Sequence, residues 1–152
     1  MFSSDPDDKG LCLSLSPSRE KLFFCEKIRK GTLITRLDLK SENLEKKYLE
    51  LEDLMVINFV APDDLSLFVL CTKNGKYFIR VFETVSGTHV DKLISENYQA
   101  DFLTVSVELR LIAVSCFLRG EDCCTNLIKL FEFGSLAEVC SQQIVIPNVE
   151  GS

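Results

Sequence analysis

The chain has 152 residues, 46% of them hydrophobic and 26% charged, a balance that suits a folded domain and is too apolar for a disordered tail. Its formal net charge of −6 would repel a polyanion, because nucleic-acid binding depends on Lys and Arg displacing counterions from phosphates; DNA and RNA are not expected partners. No apolar stretch approaches the roughly 20 residues that cross a bilayer as a helix, and the opening MFSSDPDDKG lacks the basic start and apolar run of a secretory signal, so a cytoplasmic chain without a membrane partner is expected.

Residues 1–10 are polar and acidic and read as a flexible lead-in. Short apolar runs then alternate with turn residues: LCLSL (11–15), KLFFC (21–25) and TLITRLDL (32–39), followed by a charged segment to Asp53. That segment is ambiguous. In ENLEKKYLELEDL, Leu44, Tyr48, Leu51 and Met55 follow helical spacing, whereas Leu49 and Leu51 would share one face of a strand; the flanking pattern favours a strand over 42–53. A second unit repeats the plan with LMVINFV (54–60), LSLFVLC (65–71), YFIRVFE (77–83) and THVDKLI (88–94). Its Asn74-Gly75 pair has the residues that tolerate the positive φ angles of a type I′ hairpin. The third unit reads ADFLTVSV (100–107), LIAVSCF (111–117), the long polar loop LRGEDCCTN, LIKLFEF (127–133) and EVCSQQIVI (138–146).

Each unit ends its third run with a bulky apolar residue and a carboxylate: Leu37-Asp38, Phe82-Glu83 and Phe131-Glu132. These marks stand about 45 and about 49 residues apart, the period of one four-stranded propeller blade. With no long helical pattern between the runs, antiparallel meanders are expected rather than βαβ crossovers. The carboxylates recur at strand ends, where a turn or capping role suits them better than acid–base chemistry.

On these motifs the chain resembles the WD-repeat β-propellers. FIRVFETVSGTHVDKL is similar to that family's third strand, turn and fourth strand, and VINFVAPDDLSLFVLC to its first two; LSLSPSREKLFFC, LITRLDLKS and LIKLFEF are weaker versions. The spacing is also similar to that of the amino-terminal propellers of the cilia- and flagella-associated WD-repeat proteins. The chain departs from the family in lacking Trp and any Gly-His pair, so blade cohesion must come from packed Phe, Leu, Ile and Val. The resemblance implies an all-β fold of about three four-stranded antiparallel blades within one domain over 11–152, divided near 11–53, 54–97 and 98–146; a two-layer β-sandwich is the alternative. It also implies a protein-interaction scaffold in the cytoplasm, a cilium or the cytoskeleton.

Three blades leave two apolar faces uncovered, so the expected partners are other proteins: a chain that completes the propeller, or a second copy. The longest loop points to Arg119, Glu121 and Asp122 as partner-binding candidates. No catalytic, cofactor or metal residues are expected. Seven cysteines show no C-x₂₋₄-C pair, His89 is the sole histidine, and DPDDKG fails as a calcium loop because Lys9 and Ser16 stand where oxygen ligands are needed. Cys12, Cys25, Cys71 and Cys116 lie in apolar runs, as buried free thiols do. Two other readings stay open: a cysteine-based redox sensor using Cys123 and Cys124, and a truncated propeller without independent function.

Overall fold

A computed structural model of the chain describes residues 12–147 apart from 17, 19, 30, 41–45, 53, 64, 84–85, 96 and 122. The expected lead-in and the acidic DPDDKG run lie outside the described residues, as does Leu44. What is described is all β, with twelve strands in three four-stranded antiparallel sheets, each a simple meander. Sheet 1 holds β1 (Cys12–Leu15), β2 (Lys21–Ile28), β3 (Gly31–Asp38) and β4 (Lys46–Glu52). Sheet 2 holds β5 (Met55–Val60), β6 (Ser66–Lys73), β7 (Lys76–Glu83) and β8 (His89–Ser95). Sheet 3 holds β9 (Gln99–Ser106), β10 (Leu111–Arg119), β11 (Cys123–Glu132) and β12 (Glu138–Pro147).

The segment with two readings is a strand at residues 46–52, where Leu51 faces Thr32 across the β3–β4 ladder and is buried. Helical spacing lost because a helix there would leave one edge of β3 without its hydrogen bonds, whereas the strand pairs that edge over seven residues. The loop LRGEDCCTN is shorter than its polarity suggests. Leu118 and Arg119 extend β10, Cys123 to Asn126 begin β11, and the turn closes through the Gly120 N–H donating to the Cys123 carbonyl at 2.8 Å. Polar Thr and Asn are accepted there because ladder pairing, Leu118 opposite Thr125 and Phe117 opposite Asn126, does not depend on apolar side chains.

Register carries the repeat. The three apolar marks sit opposite equivalent residues of the preceding strand: Leu37 opposite Leu22, Phe82 opposite Leu67, and Phe131 opposite Ile112. The larger second spacing is absorbed in the lengthened β10–β11 hairpin, which leaves these pairs in step. The turns repeat too. The Glu83 and Glu132 N–H groups donate to the Thr88 and Ala137 carbonyls, and the Gly87 and Leu136 N–H groups donate back to the Glu83 and Glu132 carbonyls. Gly87 and Leu136 both have positive φ, 78° and 58°. Leucine tolerates that unfavoured backbone because its side chain is buried in the core.

The sheets pack face on, and two apolar clusters lie between them. One joins Phe23, Cys25, Ile34 and Leu51 of sheet 1 to Leu67, Val69, Cys71 and Phe82 of sheet 2. The other joins Phe68, Leu70, Ile79 and Ile94 of sheet 2 to Leu103, Ile112, Val114, Cys116 and Phe131 of sheet 3. Successive residues of β6 alternate between the clusters. Its run LFVLC (67–71) is therefore continuously apolar, as a strand covered on both faces requires. The first strands β1, β5 and β9 lie beside one another and are tied by side chains: the Ala61 N–H donates to Ser14 Oγ, and the Leu103 N–H donates to Asn58 Oδ1, each at 3.2 Å. A bulge between Val56 and Asn58 re-aims the asparagine for this contact.

Candidate functional site

A polar and aromatic cluster lies on the face that sheet 2 turns toward sheet 1, at its outer margin. Residues 78, 80 and 82 alternate onto this face of β7, and 91 and 93 onto the same face of β8, because side chains two apart on a strand share a side. The Arg80 guanidinium sits 5.6 Å from the Phe78 ring centroid and 5.8 Å from that of Phe82. It donates from Nε to Asp91 Oδ1 at 2.7 Å and from Nη2 to Oδ2 at 3.0 Å. This bidentate pair raises the Arg80 pKa above its ordinary value, chiefly through the hydrogen bonds to Asp91. His89, at the start of β8, tilts against Phe82 with ring centroids 5.4 Å apart.

Beside this stack is a recess of about 340 Å³ lined by Lys73, Asn74, Lys76, Phe78, Asp91 and Leu93. The Asn74-Gly75 hairpin forms one wall, with positive φ at both residues (53° and 76°) as the sequence predicts. Lys73 and Lys76 flank that turn and are exposed; neither forms an ion pair among the described residues. Leu93 is also exposed although apolar.

The sequence-derived candidates lie elsewhere. Arg119 ends β10, Glu121 is exposed in the turn that follows, and Asp122 is outside the described residues. Cys123 and Cys124 are half-buried in β11, and as consecutive strand residues they point to opposite faces. Cys140, on β12, is the exposed thiol among the described cysteines. Cys25, Cys71 and Cys116 are buried. Burial pushes the Cys71 thiol up to about 12 despite nearby Arg80, and the Cys116 thiol up to about 11 despite Lys129. Both are protonated at neutral pH and poor nucleophiles. Among the described residues no three His, Cys, Asp or Glu side chains gather as metal ligands, and no helix is long and apolar enough to cross a membrane.

Sequence reasoning missed the β7–β8 cluster because its members come from three strands. Phe78, Arg80 and Phe82 alternate visibly, but nothing in the linear order ties them to Asp91 or Lys73.

No protein-family model and no curated protein matches the chain. Among solved structures it is similar to a puromycin hydrolase mutant complexed with PGG, with a TM-score of 0.61 and 13% identity over 97% of this chain. The chain spans 23% of that protein's length. A conserved lipoprotein of Clostridium novyi NT is similar over 96% of this chain and 92% of its own, with a TM-score of 0.49 and 11% identity. The first likeness bears on the fold alone.

Proposed function

We propose that the three sheets are blades of a WD-repeat-like propeller arc, and that the chain is a non-enzymatic scaffold that binds other proteins through the faces the arc turns outward. The observation that carries this reading is the shared register of Leu22–Leu37, Leu67–Phe82 and Ile112–Phe131. In sheets 2 and 3 that pair is buried against the preceding sheet. In sheet 1 the same pair is half-buried on an outward face, beside Leu13 (64% exposed) and Leu15 (46%). On the outward side of sheet 3, Phe102 (54%) and Ile144 (47%) are exposed in the same way. A blade normally has both faces covered, and apolar faces of this kind are protein-binding surfaces. A chain that completes the ring, or a second copy, presents the matching surface.

Protonated buried thiols and an isolated His89 support a binding role over a catalytic one, and free buried cysteines suit a reducing cytoplasm. A place in a cilium or the cytoskeleton rests on the sequence resemblance alone. The test is dye binding by the native chain together with sedimentation. The wild type is expected to bind the apolar dye ANS and to associate at micromolar concentration. Leu15→Asp and Phe102→Asp should each lower both signals without altering the far-ultraviolet circular dichroism. A monomer that binds no dye would refute the proposal.

A further inference from the structure

We propose that the recess on β7 and β8 seats an extended acidic peptide from a partner protein, which adds as a fifth strand along β8 and lays an apolar side chain over Leu93 toward Phe78. Among the described strands β8 is the outermost of its sheet and pairs with β7 alone, so its other edge offers backbone N–H and C=O groups to an incoming strand, apart from the Ile94 carbonyl, which accepts from Lys129 Nζ. The three sheets differ at this position. The edge strand β4 carries Lys46, Lys47, Glu50 and Glu52. β12 is exposed along residues 138–144. β8 combines an open edge with the apolar recess of about 340 Å³.

Charge then selects the ligand. Asp91 is held by both nitrogens of Arg80, which removes it as a repulsive partner, while Lys73 and Lys76 stand exposed at the hairpin end without a counter-ion among the described residues. On a chain of net charge −6 these two lysines form a local cationic spot beside an apolar floor. Register fixes the pattern. On the recess side the order along β7 and β8 runs from the lysines, through Phe78 opposite Leu93, to Arg80 opposite Asp91. A peptide residue over Leu93 therefore has its same-face neighbour, two places along, near Lys73 and Lys76. The fitting motif is an aromatic or large aliphatic residue with a carboxylate two positions away, on the side of the lysines. Two lysines are too few for a polyanion such as RNA, whose binding grows with the number of phosphates neutralised.

The seat lies within the described chain and does not depend on the outward faces of sheets 1 and 3, so the two proposals can fail separately. The probe is a fluorescein-labelled peptide, Thr-Thr-Phe-Thr-Glu-Thr-Thr, with its reversed sequence to allow either strand direction, titrated against the full chain by fluorescence anisotropy. Saturable binding of one direction is expected. The Lys73→Glu, Lys76→Glu double variant, which changes only exposed side chains, should weaken it roughly tenfold. The Glu-to-Lys peptide should recover affinity for that variant and lose it for the wild type. Equal affinity of the Glu and Lys peptides, or no saturation by millimolar peptide in either direction, would overturn the proposal. So would peptide binding that falls as the protein is concentrated and a dimer appears in sedimentation, which would assign the edge to a second copy.

Discussion

Leu67 and Leu70 lie on one strand, are both fully buried, and belong to different cores: Leu67 packs toward sheet 1 and Leu70 toward sheet 3. Truncating either to alanine removes three carbon atoms' worth of buried apolar surface. At roughly 0.8 kcal/mol per methylene, plus a term for the cavity, each change should cost about 3 kcal/mol. Three residues along a strand separate them by roughly 10 Å, with the sheet backbone between, so the two costs should add to within about 0.5 kcal/mol. Ile79 provides the contrast, since it sits directly opposite Leu70 in the ladder and in the same core. Leu70→Ala combined with Ile79→Ala should depart from additivity by about 1 kcal/mol, because the second truncation enlarges a cavity the first has opened. Urea unfolding of the wild type, three single and two double variants reads all of this from the midpoint at constant slope. Coupling above about 1 kcal/mol between Leu67 and Leu70 would refute the picture of one strand serving two separate cores.

Three further outcomes follow from particular contacts. Cys71 and Cys116 hold their protons up to about 12 and about 11 in the fold, against 9.0 ordinarily, so their stabilisation is complete below pH 9 and is lost as pH rises toward the folded values. At about pH 10.5 each should withdraw roughly 2 kcal/mol, and urea midpoints of Cys71→Ala should fall less steeply with pH than those of the wild type; an unchanged slope would refute this. Asn58→Ala should cost about 1–2 kcal/mol and speed hydrogen exchange at the Leu103 amide, while Ser14→Ala should cost about 1 kcal/mol and act on the Ala61 amide. Thr35 is 2% exposed and its hydroxyl has no partner among the described residues, so Thr35→Val should raise the thermal midpoint, with a gain of about 1 kcal/mol.

Much of the fold was legible because its elements are short and locally signalled. Alternation located most strands to within a residue or two, and Asn74-Gly75 fixed one hairpin outright. The sequence was hardest to read where local pattern and ladder pairing disagree. Tyr48 and Leu51 obey helical spacing, yet the open edge of β3 decides in favour of a strand. Thr125 and Asn126 look like loop, yet they pair with Leu118 and Phe117. The turn GSLA between LIKLFEF and EVCSQQIVI is legible, but not the positive φ of Leu136 within it, because leucine there is disfavoured until its burial compensates. The recess on β8 was illegible for a different reason. Its chemistry depends on Lys73, Phe78 and Leu93 becoming neighbours across two ladders, and on Asp91 being neutralised by Arg80, and both are consequences of register rather than of sequence order.

Equivalent register also shows what the repeat conserves and what it leaves free. Thr35, Arg80 and Lys129 occupy one slot: they pair with Phe24, Val69 and Val114 on the preceding strand, on the face turned toward the preceding sheet or, in sheet 1, outward. Lys129 uses the slot to reach across, donating from Nζ to the Ile94 carbonyl of sheet 2 at 2.9 Å while its own sheet supplies Glu138 at 3.2 Å. Arg80 turns instead to Asp91 within its sheet and stacks on Phe78 and Phe82. Thr35 carries no charge. A cation in the slot needs a carboxylate from the fourth strand, which β8 and β12 provide as Asp91 and Glu138. The apolar positions around the slot set how sheets stack, and the slot itself is where each sheet acquires its own chemistry. In sheet 2 the slot holds a bidentately paired, aromatic-flanked Arg80 one strand in from the β8 edge, and its partner Asp91 also lines the recess beside that edge.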